Sequence, residues 1–204
     1  MKRNEKKLIK NIKDIYIGET GTGKSYQAFQ KALKNKGITI IFDGVSKNIL
    51  LSSEPSMKNM IYKFELVDIK DLCDLKISKR KKYIIYNSLS SVEHNYYIDY
   101  VIEFLNKNHK ILNKKNTMLV FDDGVFEDIN AFSGFENKSS SSAVAFKEMR
   151  LLSGLSLVLS KTAIIITILM DNYEYEKFIS NSIDKIYSFG NTYNIKRFYK
   201  KELN

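Results

Sequence analysis

Eight consecutive residues near the amino terminus have the types and the spacing of a loop that binds phosphate. They match the pattern GxxxxGK[ST] and are Gly18, Glu19, Thr20, Gly21, Thr22, Gly23, Lys24 and Ser25. Glycines let the backbone curl so that successive N–H groups, with the positive end of a following helix, point at one anion. Lys24 would reach the β and γ phosphates of a nucleotide, and the Ser25 hydroxyl would complete the coordination of Mg²⁺. The motif therefore predicts a site for a nucleoside triphosphate that arrives with Mg²⁺.

A second candidate element lies in the middle of the chain, where an apolar strand predicted at 117–121 ends in two carboxylates, Asp122 and Asp123. This is the form of a Walker B element. The first carboxylate can hold the magnesium shell, and the second can orient and polarise the water that attacks the γ-phosphate. We assign Asp122 to the metal and Asp123 to the water. Glutamate is commoner at the second position in such ATPases, so a contribution from Glu127 stays open.

Arginine is scarce, since only four of the 33 basic residues are arginines. A planar, permanently charged guanidinium suits the dispersed charge of a phosphoryl transition state better than an ammonium does. We predict that Arg150 is a finger that reaches the nucleotide of a neighbouring subunit. The alternatives are a structural ion pair for Arg150, or Arg80 in the finger's role.

Three polar residues at or after the ends of predicted strands are further candidates. In ATPases with a strand inserted between the phosphate-loop strand and the Walker B strand, the inserted strand carries a polar sensor of the γ-phosphate. Thr167 or Asn172 can serve here, although threonine in a strand is often present for packing. Asp43 follows another apolar strand, and it either faces the nucleotide crevice or caps a turn.

The elements that must position these residues alternate along the chain. Strands are predicted at 14–17, 38–42, 83–86, 117–121, 162–169, 185–189 and 193–199, and helices at 24–36, 92–112, 143–150 and 173–180. The pattern is weaker from 45 to 82, where we predict a surface connection with Pro55, a strand at 60–66 and a short helix at 69–75. Residues 124–142 form a predicted mobile or partner-bound loop. This alternation predicts an α/β fold with a mainly parallel sheet.

Size and composition predict a single domain spanning residues 1–204, with a basic segment at 1–13. That segment lacks the apolar centre of a secretion signal, and the longest apolar stretch, 155–170, is interrupted and too short for a bilayer. We therefore expect a soluble, cytoplasmic protein with no membrane span. The lone Cys73 excludes an internal disulfide, and two histidines with one distant cysteine make no ordinary zinc site.

The net charge of +10 indicates a polyanionic partner, because neutralising phosphates is the main source of non-specific affinity for nucleic acid. Residues with A/T-rich codons are abundant, so genomic drift is an alternative source of the lysines. The run at 79–82, Lys-Arg-Lys-Lys, is either a solvated turn or a surface that faces DNA.

The order of these motifs resembles the FtsK/HerA superfamily of P-loop ATPases. The resemblance rests on GETGTGKS, the strand before Asp43, VFDDG, the helix with Arg150, TAIIITIL and SNSIDKIYSFG, and it covers about residues 14–190. Within that superfamily, the chain is similar to the small poxvirus-type genome-packaging ATPases in length, in the Phe-Asp-Asp form of the Walker B, and in the arginine-bearing helix. One departure is the sensor strand, which usually ends in glutamine and here ends near Leu169 and Met170.

The resemblance implies a RecA/ASCE-like P-loop NTPase fold, a three-layer sandwich with helices on both faces of the sheet. It implies ATP and Mg²⁺ as ligands, and a ring of five or six identical subunits that hydrolyses ATP to move double-stranded DNA. A capsid or membrane-vertex protein would be a further partner, and a viral protein of this kind would act in the host cytoplasm or with the virion.

Three other functions fit the phosphate loop. A small P-loop kinase or other nucleotide enzyme would need an arginine-rich lid, and the segment after Gly124 has few arginines. A GTPase would need an NKxD motif, and the nearest sequence, at 106–109, lacks the aspartate. An assembly protein that binds ATP with little turnover remains an alternative, because Asp123 is shorter than the usual glutamate.

Overall fold

Eight strands form one sheet, which is the framework of the molecule. The computed structural model describes residues 12–18, 21–44, 55–89, 93, 96–125, 151, 155, 159–169, 185–189 and 195–199. The strands are β1 (Ile12–Gly18), β2 (Thr39–Asp43), β3 (Glu65–Asp68), β4 (Lys82–Tyr86), β5 (Met118–Phe121), β6 (Ala163–Leu169), β7 (Lys185–Phe189) and β8 (Ile195–Tyr199). The helices are α1 (Lys24–Lys34), α2 (Pro55–Ile61) and α3 (Tyr97–Leu112), with a 3₁₀ helix at Ile69–Asp74.

The strand order is β3-β4-β2-β5-β6-β1-β7-β8. All neighbouring pairs are parallel except β7 and β8, which form an antiparallel hairpin. Seven strands therefore end at one edge of the sheet, here called the carboxyl edge, and begin at the opposite amino edge. Strand β6 lies between β1 and β5, which is the inserted position that the sensor-strand interpretation requires.

Helices cover both faces of the sheet because the central strands are apolar on both sides. On one face, Ile41 and Val120 pack with Phe29 of α1 and with residues of α2. On the other face, Phe42 stacks on Phe121 with ring centroids 5.0 Å apart and meets Phe104 of α3 edge-on at 6.3 Å. Such continuous apolar runs are typical of parallel strands buried between two helical layers. The predicted three-layer α/β fold is confirmed.

The segment between β2 and β4 differs from its prediction. The strand expected at 60–66 is wrong for its first part, because Pro55–Ile61 is helical and the strand is Glu65–Asp68. Pro55 begins α2 and does not lie in a surface connection. Proline is favoured in the first turn of a helix, because backbone N–H groups there make no hydrogen bond within the helix and the missing N–H costs nothing. The short helix predicted at 69–75 is present as a 3₁₀ helix.

The other described elements lie close to their predicted positions. Helix α1 ends at Lys34, two residues earlier than predicted, and α3 begins at Tyr97, five residues later than predicted. Of the predicted loop at 124–142, the structure describes Gly124 and Val125, and Val125 is fully buried. The helices predicted at 143–150 and 173–180 lie outside the described residues. None of the described helices is long and apolar enough to cross a membrane.

Candidate nucleotide-binding site

The predicted phosphate loop connects β1 to α1 at the carboxyl edge. Gly21 and Gly23 have φ of 80° and 92°, which is the left-handed region that favours glycine. Helix α1 begins at Lys24, and its first turn contains no acidic residue. No acidic residue of α1 itself therefore offsets the positive potential of the helix start, which favours an anion at this place. Glu19 and Thr20 lie outside the described residues.

The structure brings the phosphate loop and the predicted Walker B residues together. The Lys24 ammonium lies 3.3 Å from Oδ2 of Asp123, and the Lys24 side chain is 3% exposed. The Ser25 hydroxyl donates a hydrogen bond to Asp122. The backbone N–H of Asp122 donates to the carbonyl of Phe42 at 2.8 Å, which holds the end of β5 against β2. Four side chains named from the sequence thus meet where β1 and β5 end.

Strand β6 supplies a hydroxyl that joins the two carboxylates. Oγ1 of Thr167 lies 2.7 Å from Oδ1 of Asp122 and 2.8 Å from Oδ1 of Asp123. A hydroxyl carries one proton, so it donates to one carboxylate at a time, and bonds to both at once require a proton on one of the two acids. Of the two sensor candidates, Thr167 is at the site, and Asn172 lies outside the described residues.

The carboxyl of Asp122 is in an unfavourable environment for its charge. Burial, followed by repulsion from Asp123 and Asp43, raises its pKa from 3.8 to about 7, and hydrogen bonds from Thr167 and Ser25 oppose that rise. A cation beside Asp122 would relieve this repulsion. Carboxylate and hydroxyl oxygens are the protein ligands that Mg²⁺ prefers, so Asp122 and Ser25 fit the ion that the motif implies.

The protein by itself provides only part of a metal shell. Among the described residues, no group of three or more histidine, cysteine, aspartate or glutamate side chains is arranged to hold an ion. Magnesium is commonly held by one or two protein oxygens, several waters and the phosphates of a substrate. The donor set here is consistent with that mode, in which the ion and the nucleotide bind together.

Asp43, for which the sequence left a place in the nucleotide crevice or a turn cap, is buried beside Asp122. It is the last residue of β2, it is 2% exposed, and its charge raises the pKa of Asp122. The next residue, Gly44, lies so close to the β5 turn that an added methyl would be 2.2 Å from the carbonyl carbon of Gly124. Asn87 donates to the carbonyl of Gly44 at 2.9 Å. These contacts enclose Asp43 and fix the turn that carries Asp123.

Tyr97 is a member of this cluster that the sequence analysis did not identify. It is fully buried at the start of α3, and burial together with the charges of Asp43 and Asp122 raises the pKa of its phenol well above the usual value. In the sequence, a tyrosine on the apolar face of a helix has the pattern of an ordinary core residue. Only the tertiary structure shows that it lies beside two carboxylates.

Three further candidates from the sequence were Arg150, Glu127 and Arg80. Arg150 and Glu127 are outside the described residues. Arg80 is exposed in the turn before β4, at the amino edge, and so on the opposite side of the sheet from Lys24. In the same run, Lys82 donates to the carbonyls of Ala32 and Asn35 at the end of α1, and Lys81 pairs with Glu65 at 2.6 Å. Two of these four cations therefore make contacts within the protein.

Asp122 predicts a measurable effect on stability. Its pKa is higher in the folded chain than in the unfolded chain, so the folded state binds more protons between pH 4 and 7, and stability falls as pH rises through that range. The loss is up to about 4 kcal/mol for a shift of this size. We therefore expect Asp122→Asn to raise the melting temperature of the nucleotide-free, magnesium-free protein at pH 8 and to have little effect near pH 4.

Thermal unfolding followed by circular dichroism, with a chelator present, measures this effect. Asp74→Asn, at an exposed site on the 3₁₀ helix, is a suitable control and should leave the pH profile unchanged. Equal melting temperatures for wild type and Asp122→Asn at pH 8 would show that the buried charge is not destabilising.

Comparison by sequence finds no matching protein-family model and no matching curated protein. Comparison by structure finds similar chains. The genome packaging NTPase B204 of Sulfolobus turreted icosahedral virus 2, in complex with AMP, is 14% identical with a TM-score of 0.43 over 95% of this chain and 78% of that chain. Its AMPPCP complex is 15% identical with a TM-score of 0.45, over 88% and 75% of the two chains.

A second similar structure is the assembled ATPase EscN from the type III secretion system of enteropathogenic E. coli. It is 14% identical with a TM-score of 0.50, over 89% of this chain and 45% of that chain. At these identities the likeness concerns the fold and not the activity. Together with the phosphate loop between β1 and α1 and the inserted strand β6, it shows that this chain has the α/β fold of P-loop NTPases.

Proposed function

We propose that this protein hydrolyses ATP and couples hydrolysis to movement of double-stranded DNA, as a subunit of a viral genome-packaging motor. The observation that supports hydrolysis is the meeting of Lys24, Asp123 and Thr167 at the carboxyl edge. The positive charge of the chain and its resemblance to the packaging ATPases support the DNA part of the proposal.

In the proposed mechanism, the loop amides and the start of α1 bind the phosphates of ATP. Lys24 leaves Asp123 and binds the β and γ phosphates, because these carry more negative charge than one carboxylate does. Magnesium held with Asp122 and Ser25 would neutralise charge that develops on the phosphate oxygens.

Asp123, released from Lys24, then accepts a hydrogen bond from a water and orients it towards the γ-phosphorus. A new bond forms between that water oxygen and phosphorus while the bond to the ADP oxygen breaks, and the proton that the water loses passes to Asp123 or to the released phosphate. Thr167 remains hydrogen-bonded to the acidic pair and holds Asp123 in position, so we assign it a positioning role. We further propose that Arg150 acts from a neighbouring subunit, which would make each site in a ring depend on its neighbour.

The test is magnesium-dependent ATP hydrolysis, measured with and without duplex DNA, together with the particle mass with and without ATP. We expect DNA to increase the rate and ATP to favour a ring of five or six subunits. Phosphate transfer to a small acceptor, with no response to DNA, would support a kinase instead. Tight ATP binding without turnover under any DNA condition would support an assembly protein.

Thr167 offers a test of the inserted strand in this mechanism. Thr167→Val has nearly the same shape but loses the hydroxyl, so we expect the hydrolysis rate to fall at least tenfold, with ATP affinity nearly unchanged. A tenfold fall corresponds to an activation free energy that is higher by about 1.4 kcal/mol. Thr167→Ser keeps the hydroxyl and should retain most of the rate. If the valine and serine variants hydrolyse ATP equally well, the hydroxyl has no positioning role.

A further inference from the structure

The amino edge of the sheet carries a concentration of positive charge. Four turns lead into β4, β2, β5 and β6, at residues 76–81, 34–38, 113–117 and 159–162, and none of them contains an acidic residue. The exposed cations on these turns, which we call the basic edge, are Lys34, Lys36, Lys76, Lys79, Arg80, Lys81, Lys114, Lys115 and Lys161. The charge is thus spread across four adjacent strands and does not belong to one run of sequence.

The turns of the basic edge are held side by side by hydrogen bonds and close packing. Gly37 lies against Asn116, so that an added methyl would be 2.0 Å from the Asn116 carbonyl oxygen. The Asn35 amide also donates to that oxygen at 3.0 Å. The backbone N–H of Lys161 donates to the side chain of Asn113 at 2.9 Å. The lysines that flank these contacts are therefore presented on a fixed surface.

Structural roles explain only part of this charge. Helices α1 and α3 end at this edge, and lysines in a last helical turn offset the negative end of the helix, which accounts for Lys34. Lys81 pairs with Glu65. Lys36, Lys114, Lys115 and Lys161 lie in turns, and no ion pair joins them to an acidic residue of the described part of the chain.

The opposite edge has the reverse charge pattern. Asp43, Asp122 and Asp123 lie at the carboxyl edge, where Lys24 is already paired with one of them. Among the described residues, the amino edge is therefore the more favourable of the two edges for a polyanion other than the nucleotide. The two binding functions would use opposite edges of one sheet.

We propose that the phosphate backbone of duplex DNA binds across the basic edge. The turns before β4, β2, β5 and β6 span three strand spacings, or about 14 Å, and a duplex carries about eight phosphate charges over that length. The four turns contain no aromatic residue on which a base could stack, and their lysines suit contacts to phosphates, which do not depend on base sequence. This inference rests on the proposed function, since it names the surface that meets the DNA.

The experiment compares two double variants of the full chain that remove the same charge. Lys36→Gln/Lys115→Gln alters the basic edge, and Lys70→Gln/Lys107→Gln alters exposed lysines near the 3₁₀ helix and α3. Binding to a labelled duplex is followed by fluorescence anisotropy without nucleotide, between about 50 and 200 mM salt, which spans the range where phosphate contacts dominate. Melting temperatures and ATP hydrolysis without DNA check that both variants are folded.

We expect the basic-edge variant to bind more than tenfold more weakly at about 0.1 M salt, and its slope of log affinity against log salt to be smaller by about 2. The control should keep the slope of the wild type. Equal losses in both variants, or none in either, would overturn this inference while leaving DNA-stimulated hydrolysis intact. The inference would also be overturned if the basic-edge variant lost binding to anionic phospholipid vesicles while its binding to duplex DNA was unchanged. Failure of the wild type to bind or respond to DNA would instead reject the proposed function.

Discussion

Replacing Lys24 with alanine should reduce ATP hydrolysis at least a hundredfold. The ammonium is 3% exposed, lies at the start of α1 and is held beside Asp123, which places it where the phosphates of a bound nucleotide would lie. Loss of one charge-stabilising donor of this kind costs about a hundredfold to a thousandfold in rate. The variant should also bind ATP more weakly, because the lysine contacts the β and γ phosphates before reaction as well as during it. Phosphate release and binding of a fluorescent ATP analogue measure the two effects.

The control for this variant is Lys34→Ala at the opposite end of the same helix, where the side chain is exposed. It removes the same charge and should leave hydrolysis without DNA unchanged. Removal of Lys24 also leaves Asp123 without its cation, so the melting temperature of the variant must be measured. A folded Lys24→Ala protein with near wild-type turnover would show that the loop is not the reactive phosphate site.

Replacing Asp123 with asparagine should separate binding from reaction. An amide cannot take the role of a carboxylate in orienting and polarising water, and removal of such a group costs about a hundredfold to ten-thousandfold in rate. ATP affinity should be kept or increased, because Lys24 no longer has to leave an anionic partner before it binds phosphate. We therefore expect turnover to be lost from a protein that still binds ATP with magnesium.

Asp123→Glu tests the shorter side chain directly. The extra methylene restores the usual residue at this position, and turnover that is retained or increased would support a water-orienting role. Asp74→Asn, on the exposed end of the 3₁₀ helix, is the charge control, and it should hydrolyse and bind ATP as the wild type does. If Asp123→Asn hydrolyses ATP at the wild-type rate, the water is oriented by another group, and Glu127 becomes the first candidate.

The central strands were predictable because of where they lie. Strands β2, β5 and β6 are covered on both faces, so each reads as an unbroken apolar run, and each was located within one residue of its predicted start. The elements before β4 were not located correctly from the sequence. Helix α2 has seven residues, and β3 has four, of which the first two are exposed. Elements this short and this exposed leave little periodicity to detect.

The site was predictable only as far as its motifs extend. Lys24, Ser25, Asp122 and Asp123 stand out because type and spacing both match a known chemistry. The choice between Thr167 and Asn172 depends on the register of β6 beside β5, which is a tertiary property. The choice between the two places for Asp43 could not be made from the sequence for the same reason: Gly44, the residue after it, lies against Gly124, and no local sequence signal reports a contact 80 residues apart.

Helix α1 is fastened at both of its ends. Lys24 and Ser25 contact the acidic pair at one end, and Lys82 and Asn35 tie the other end to β4 and to the turn before β5. A helix of 11 residues is a stiff rod about 16 Å long. A shift of α1 along its axis would therefore strain the contacts at both ends together, which connects the phosphate loop with the turns at the amino edge.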